Sequence, residues 1–322
     1  MCGLLKRGVL LAGTATLAAA AVNALLAWKV TAPASRLGGG FRRTPARHGD
    51  MAYSVSGSGA PLLLLHALVP GNSSAEWEQN FEALAANFTV YTPDFLGWGL
   101  SDKPRHILRP TDYAEQIRHF VEDVIGGGAS TPCAVVASSE SCTFALLAAQ
   151  QTPQLFSRLV LVCPGTNEEH SAHSADDESR GANLRPFYKL LTFPIFGQFL
   201  LNALTSRRRL AAEIEQRFFD KARVSSSYVA RLYQAAHQPS SAPALAAHFA
   251  GVLGARWQDA WEQLGLPTLL VWGREAAAFP QAHEWFALKP DTQIAVIDDA
   301  RKLPHVEHSA EFNARVLDWL KV

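Results

Sequence analysis

From residue 50 onward, apolar runs alternate with stretches of helical spacing. Asp50–Ser56 alternates apolar and polar positions and ends at the turn Gly57-Ser-Gly59. Pro61-Leu-Leu-Leu-Leu-His66 is a continuous apolar run, the pattern of a strand buried on both faces. Glu76–Asn87 carries helical spacing (Trp77, Phe81, Leu84, Ala85), and Phe88–Tyr91 reads as a short strand. Asp112–Ile125 is a predicted helix, capped by Thr111 or Asp112 and stopped at Gly126-Gly-Gly128. Cys133–Ala137 (strand), Ser141–Gln151 (helix) and Arg158–Val162 (strand) follow. Residues 165–262 are helical without a strand signal. The alternation then resumes with Thr268–Trp272, a helix around Pro280–Leu288, the strand Gln293–Ile297 and a last helix from about Glu307 to Lys321. Strands alternating with helices predict an α/β fold with a mostly parallel sheet covered on both faces. An all-helical insertion in such a sheet predicts a cap.

The first 50 residues differ from this. Gly8–Trp28 is 21 residues without a charge, flanked by Lys6, Arg7 and Lys29. A helix of that length spans a bilayer core at about 1.5 Å per residue. It is rich in alanine and contains Asn23, so it is only weakly apolar. A membrane anchor leads, with a cleaved signal peptide and a helix packed on the body as the other readings. Counting basic residues around the span favours a cytoplasmic body, whereas the basic start favours export. The expected division is an anchor over 1–34, a linker over 35–49 and one domain over 50–322 that includes the 165–262 cap. The arginines of the linker could lie against anionic lipid.

Composition sharpens this in three ways. Hydrophobic residues make up 48% and charged residues 18%, a globular balance and not a disordered one. Lys plus Arg and Asp plus Glu each number 29, and this neutrality argues against nucleic acid as a partner. The charge is unevenly spread, since residues 1–50 hold seven basic residues against Asp50. Four scattered cysteines form neither a disulfide framework nor a zinc pair, so buried free thiols are expected and no metal or cofactor is implied. His170 and His173 with Asp176, Asp177 and Glu178 have metal-capable types but read as a solvated loop.

In an open α/β sheet, ligands gather at the carboxyl ends of the strands. One such end is Ala137-Ser-Ser-Glu-Ser141, a strand–serine–helix turn with small neighbours, which is the setting of a nucleophile elbow. Ser139 is then the candidate nucleophile and the Glu140 N–H a candidate oxyanion donor; the bland alternative is a helix N-cap serine. The ordered set LLLLHA, DFLGWGLSDKP, ASSES, RLVLVCP, LLVWG and LPHVEHSAEF resembles the α/β-hydrolase superfamily, in its esterase, epoxide-hydrolase and C–C hydrolase branch. The resemblance covers about 51–322 apart from the cap and implies an α/β-hydrolase fold. It also implies that the Leu68 N–H is the second oxyanion donor, and that His66 and Asp94 shape the loops near the site.

The family pattern breaks at two places. Where the family writes Gly-x-x-Asp, this chain reads Gly273-Arg-Glu-Ala276, so Ala276 stands in the position of the orienting acid. Where the family writes Ala-Gly-His-x-Pro, it reads Ala300-Arg-Lys-Leu-Pro304, so Lys302 stands in the position of the general base. Without a base a serine is a weak nucleophile, and what remains is roughly 10³–10⁴ over water. Lys302 in a Ser–Lys dyad, His305 swinging inward, or help from Glu140 or Glu275 are the conceivable repairs. Each has a plainer reading: a solvated lysine, a helix-capping histidine, an exposed carboxylate. The apolar stripe Phe196, Phe199, Leu200, Ala203 and Leu204 in the cap fits either core packing or an apolar lid. The Arg207-Arg-Arg209 run after it reads as an exposed helical face, with phosphate binding as the other reading.

The leading expectation is a membrane-tethered hydrolase that cleaves an ester-like or other apolar small molecule, with Ser139 as nucleophile and Lys302 ahead of His305 as base. Its rival is a catalytically impaired relative that binds an apolar ligand, membrane lipid or a partner in the same pocket. A lysine-dependent lyase is a third, carried by Lys302 alone.

Overall fold

The computed structural model describes residues 37–126, 131–165, 186–276, 279, 282–290 and 292–321, together with 17–18, 20–25 and 28. The described strands are β1 (Gly40–Ala46), β2 (Gly49–Ser56), β3 (Pro61–Leu65), β4 (Thr89–Pro93), β5 (Cys133–Ser138), β6 (Phe156–Val162), β7 (Thr268–Gly273) and β8 (Gln293–Ile297). They form one sheet in the order β1-β2-β4-β3-β5-β6-β7-β8. β1 and β2 run antiparallel to their neighbours, and every pairing from β4 across to β8 is parallel.

The apolar runs explain the layering. Along β3, Leu63 and Leu65 enter the core on one face of the sheet, and Leu62 and Leu64 enter the core on the other. β5 divides likewise, with Val135 and Ala137 on the first face and Ala134 and Val136 on the second. Helix α1 (Phe81–Ala85) packs on the second face. Helices α2 (Pro110–Phe120) and α3 (Glu140–Gln151) cover the first.

Between β6 and β7 the described chain is helical: α4 (Phe196–Leu204), α5 (Arg207–Arg217), α6 (Ser226–Ala236), α7 (Ala242–Phe249) and α8 (Gln258–Gln263). α9 (Ala282–Leu288), the short α10 (Pro304–Glu307) and α11 (Ser309–Leu320) follow. α5 and α6 have a small core of their own (Leu210, Ile214, Phe218, Val229, Leu232), which closes on Leu303 and Val306 of the loop after β8 and of α10. Hydrogen bonds secure the same seam. Lys302 N–H donates to the Arg217 carbonyl at 3.1 Å, and Phe219 N–H to the Glu307 carboxylate at 2.6 Å. α7 lies on the first-face core through Ala244, Leu245, Ala246 and Ala247.

Two expectations for the head are corrected. Among the described residues no helix is long and apolar enough to cross a membrane, so the anchor and the tethered placement fall. The described part of that segment is helical, and Asn23 is bound to α4. Its amide donates to the Ile195 carbonyl at 2.9 Å and accepts from Asn202 Nδ2 at 2.9 Å. An amide engaged by protein groups and a run dominated by alanine suit a helix docked on the body. The expected 35–49 linker contains β1, whose seven residues pair with β2. The glycine run had masked an edge strand. Its Arg43 is turned to protein, 2.5 Å from Asp102 and 3.0 Å from the Leu100 carbonyl. His170, His173 and their acidic neighbours lie outside the described residues.

The stripe on α4 is only partly core. Phe196 and Phe199 are exposed, while Leu201 and Asn202 are buried. Arg207, Arg208 and Arg209 are exposed, and Arg207 lies 4.5 Å over the Tyr233 ring. Cys133, Cys142 and Cys163 are buried free thiols.

Candidate active site

Ser139 stands between β5 and α3 with φ 55° and ψ −119°. That is a conformation L-residues avoid, at a cost of about 1–3 kcal/mol, and it persists only where the surroundings enforce it. An ordinary N-cap serine has extended backbone and accepts a hydrogen bond from the first turn; Ser139 does neither. Its backbone is held on both sides. Ser139 N–H donates to the Val162 carbonyl at 3.0 Å, and the Ser139 carbonyl accepts from Cys142 N–H at 3.1 Å. The small neighbours have specific work. Ser141 Oγ donates to the His66 carbonyl, tying the elbow to the loop after β3, and Cys142 Sγ bonds the Ala137 carbonyl at 3.2 Å. Ser139 itself is half-buried, between the fully buried Ser138 and the half-buried Glu140.

His66 ties the loop after β3 to the loop after β4. His66 Nδ1 faces the Ala67 carbonyl at 2.9 Å, so the other nitrogen is free to accept, and it takes the Phe95 N–H at 3.2 Å. Asp94 ties two more segments together, accepting from Ser74 N–H and Leu100 N–H, each at 2.7 Å. Leu68 is fully buried beside them.

The other named residues are placed as follows. Ala276 is buried at the end of β7. Glu275 accepts from Ala300 N–H at 3.0 Å, which joins the loops after β7 and β8. The two loops touch at Gly273, where a Cβ would stand 2.1 Å from the Arg301 carbonyl oxygen. His305 is wholly buried on the second face, with Nε2 2.8 Å from Glu76 Oε1 and its ring 4.5 Å from that of Trp77. It is therefore committed to Glu76 and does not swing inward. Glu76 also accepts from Ala67 N–H at 2.8 Å and from Asn72 Nδ2. Burial alone would raise its carboxyl, but the His305 hydrogen bond and charge, with smaller help from Ser138 and Ala67, hold it down at about 2.

Sequence reasoning missed the charged groups that gather around Glu140. Burial would raise the Glu140 carboxyl, yet it is lowered, by Arg217 first, then His248, its own backbone N–H and Lys302. The carboxylate's Oε2 is buried without a hydrogen-bond partner among the described residues. Arg217 ends α5 and His248 lies in the last turn of α7. Burial lowers the His248 ring below its ordinary 6.5 and Arg217 adds to this, against Glu140, Glu213 and a hydrogen bond to the Leu68 backbone. Among the described residues no group of His, Cys, Asp and Glu is disposed to hold a metal ion.

A strained serine after the central strand of a mostly parallel eight-stranded sheet can be compared with known proteins. A profile of the alpha/beta hydrolase family matches residues 62–315. The chain belongs to that family. It is 26% identical over 275 residues to an uncharacterised protein of Mycobacterium tuberculosis, covering 81% of this chain and 75% of the other. It is 27% identical over 278 residues to the 2-hydroxymuconate semialdehyde hydrolase of a Pseudomonas species, covering 82% and 88%. Among solved structures, a serine hydrolase involved in carbazole degradation superposes with a TM-score of 0.71 at 18% identity, over 88% of this chain and 98% of that one. At that identity the likeness establishes the alpha/beta hydrolase fold alone.

Proposed function

We propose that this alpha/beta hydrolase family member cleaves an ester-like or other apolar small molecule with water, using Ser139 as nucleophile. The observation that carries the reading is the Ser139 backbone, a costly conformation maintained at a strand–helix corner at the carboxyl end of β5. Ser139 Oγ attacks the carbonyl carbon and its proton passes to a base. The alcohol then leaves with a proton, and water releases the acyl group in the second half. The Leu68 and Glu140 N–H groups are the oxyanion donors.

The base is unassigned, with Lys302 standing at the family's histidine position. A second reading, ligand binding without turnover, draws on Ala276 and Lys302 in the family's acid and base positions and on the Glu140 carboxylate next to the nucleophile, whose charge opposes a developing oxyanion. One experiment separates them. A fluorophosphonate probe labels the parent and not Ser139→Ala, and an ester panel shows turnover that disappears with the same substitution. Absence of labelling together with ligand-dependent thermal stabilisation refutes catalysis and supports binding.

A further inference from the structure

The loop after β3 meets the elbow because the two leave adjacent strands. Leu65 of β3 pairs with Ala137 of β5, and Ser141 Oγ donates to the His66 carbonyl. In that loop the peptides His66–Ala67 and Ala67–Leu68 carry two carbonyls and two N–H groups. Ser141 holds the first carbonyl, and the Ala67 N–H donates to Glu76 Oε2 at 2.8 Å. The second carbonyl, that of Ala67, accepts from Asn72 Nδ2 and faces His66 Nδ1, each at 2.9 Å. The last group, the buried Leu68 N–H, has no hydrogen-bond partner among the described residues. A buried N–H without a partner is rare and marks a place that an acceptor can enter.

The Ala67–Leu68 peptide is trans, so its C=O and N–H point in opposite directions. Whatever holds the Ala67 carbonyl therefore aims the Leu68 N–H. The Asn72 side chain is buried, and its Nδ2 donates both to that carbonyl and to Glu76 Oε2. An ionised carboxylate can only accept, so Glu76 fixes which end of the Asn72 amide faces the loop. Glu76 is held in turn by His305 at 2.8 Å, and the His305 carbonyl by Asn80 Nδ2 at 2.9 Å. Turning the peptide over would set the Leu68 N–H against the Asn72 amide hydrogens and put a carbonyl where the donor stands. We propose that Asn72 is a positioning residue: with Glu76 behind it, it locks the Ala67–Leu68 peptide so that the Leu68 N–H is presented to the oxyanion. This rests on the serine-hydrolase reading above. Asn72 touches no reacting atom, and it acts where charge develops on the carbonyl oxygen in the transition state, with little effect on substrate binding.

The test compares an ester that the parent turns over with its thiono analogue, in which sulfur replaces the carbonyl oxygen. Sulfur is a poor hydrogen-bond acceptor, so the thionoester draws little on the N–H donors. Steady-state kinetics of the full chain are measured for the parent, Asn72→Ala and Asn72→Ser, with thermal unfolding as the check on the fold. The serine keeps a hydroxyl for Glu76 but is one bond shorter than the amide, which guards against loss of the fold. Both variants are expected to lose about 10²-fold in kcat on the ester, with KM changed by no more than about twofold. The ester-to-thionoester ratio of kcat is expected to fall by a similar factor. A folded variant with parental kcat and ratio, or one that loses equally on both substrates, overturns the role of Asn72 and leaves the hydrolase reading standing. A parent that turns over no ester and does not label at Ser139 with the fluorophosphonate overturns both.

Discussion

Replacing Glu76 by glutamine removes the anionic half of a pair that joins the turn after β3 to α10. Both partners are buried, His305 completely and Glu76 to 6% exposure, so the interaction is little screened by solvent. The Glu76 carboxyl is held at about 2, against an ordinary 4.5. At about 1.4 kcal/mol per unit, its ionised form then contributes about 3 kcal/mol of stability. The folded value is the lower one, so this contribution is complete above about 4.5 and is lost as the pH falls towards 2. Urea denaturation at pH 7, 4 and 3 measures it. The parent is expected to lose most of that amount across the interval, beyond the loss shared with the variant. Glu76→Gln is expected to start about 3 kcal/mol lower at pH 7, because His305 is left buried beside a neutral partner. Its stability then falls less steeply with acid. A glutamine variant with parental stability at pH 7 and a parental slope between pH 4.5 and 3 would refute the assignment of this carboxylate as the ionised holder of His305.

Two further outcomes follow from the packing. Gly273→Ala places a methyl against the Arg301 and Ala300 carbonyls, at 2.1 and 2.4 Å, and should cost about 3 kcal/mol in urea unfolding while pushing the loop that bears Lys302 outward. A neutral effect would mean that the two loops separate freely. Asn202→Ala removes the buried amide that donates to Asn23 and should weaken docking of the N-terminal helix by about 1 kcal/mol, accelerating trypsin cleavage after Lys29 several-fold. An unchanged cleavage rate would show that this amide pair does not hold the helix.

The strands that build the core were readable because their chemistry is local. Leu62–Leu65 must be buried on both faces, and no other element suits four consecutive leucines so short of helical length. Ser139 was readable because a sharp corner demands the small residues written around it. The partners of Glu140 and of His305 were not, since each pairing joins distant parts of the chain. Glu76 and His305 are 229 residues apart and bear no mutual spacing. His248 sits in an alanine-rich helical run, APALAAHF, that reads as packing, and nothing in that run marks it as a charge that acts on Glu140. The head misled for the opposite reason. Absence of charge from Gly8 to Trp28 suits a membrane and a protein surface equally, and Asn23, paired with Asn202, favours the latter. The strand β1 was hidden because its order comes from the partner strand and not from its own glycines and arginines.

The bonds that sew residues 217–219 to the Lys302 loop and Glu307 have a kinetic consequence. Opening of that rim has to break both bonds together, so hydrogen exchange at the Lys302 and Phe219 amides reports the same local unfolding event and is expected to run at matching rates.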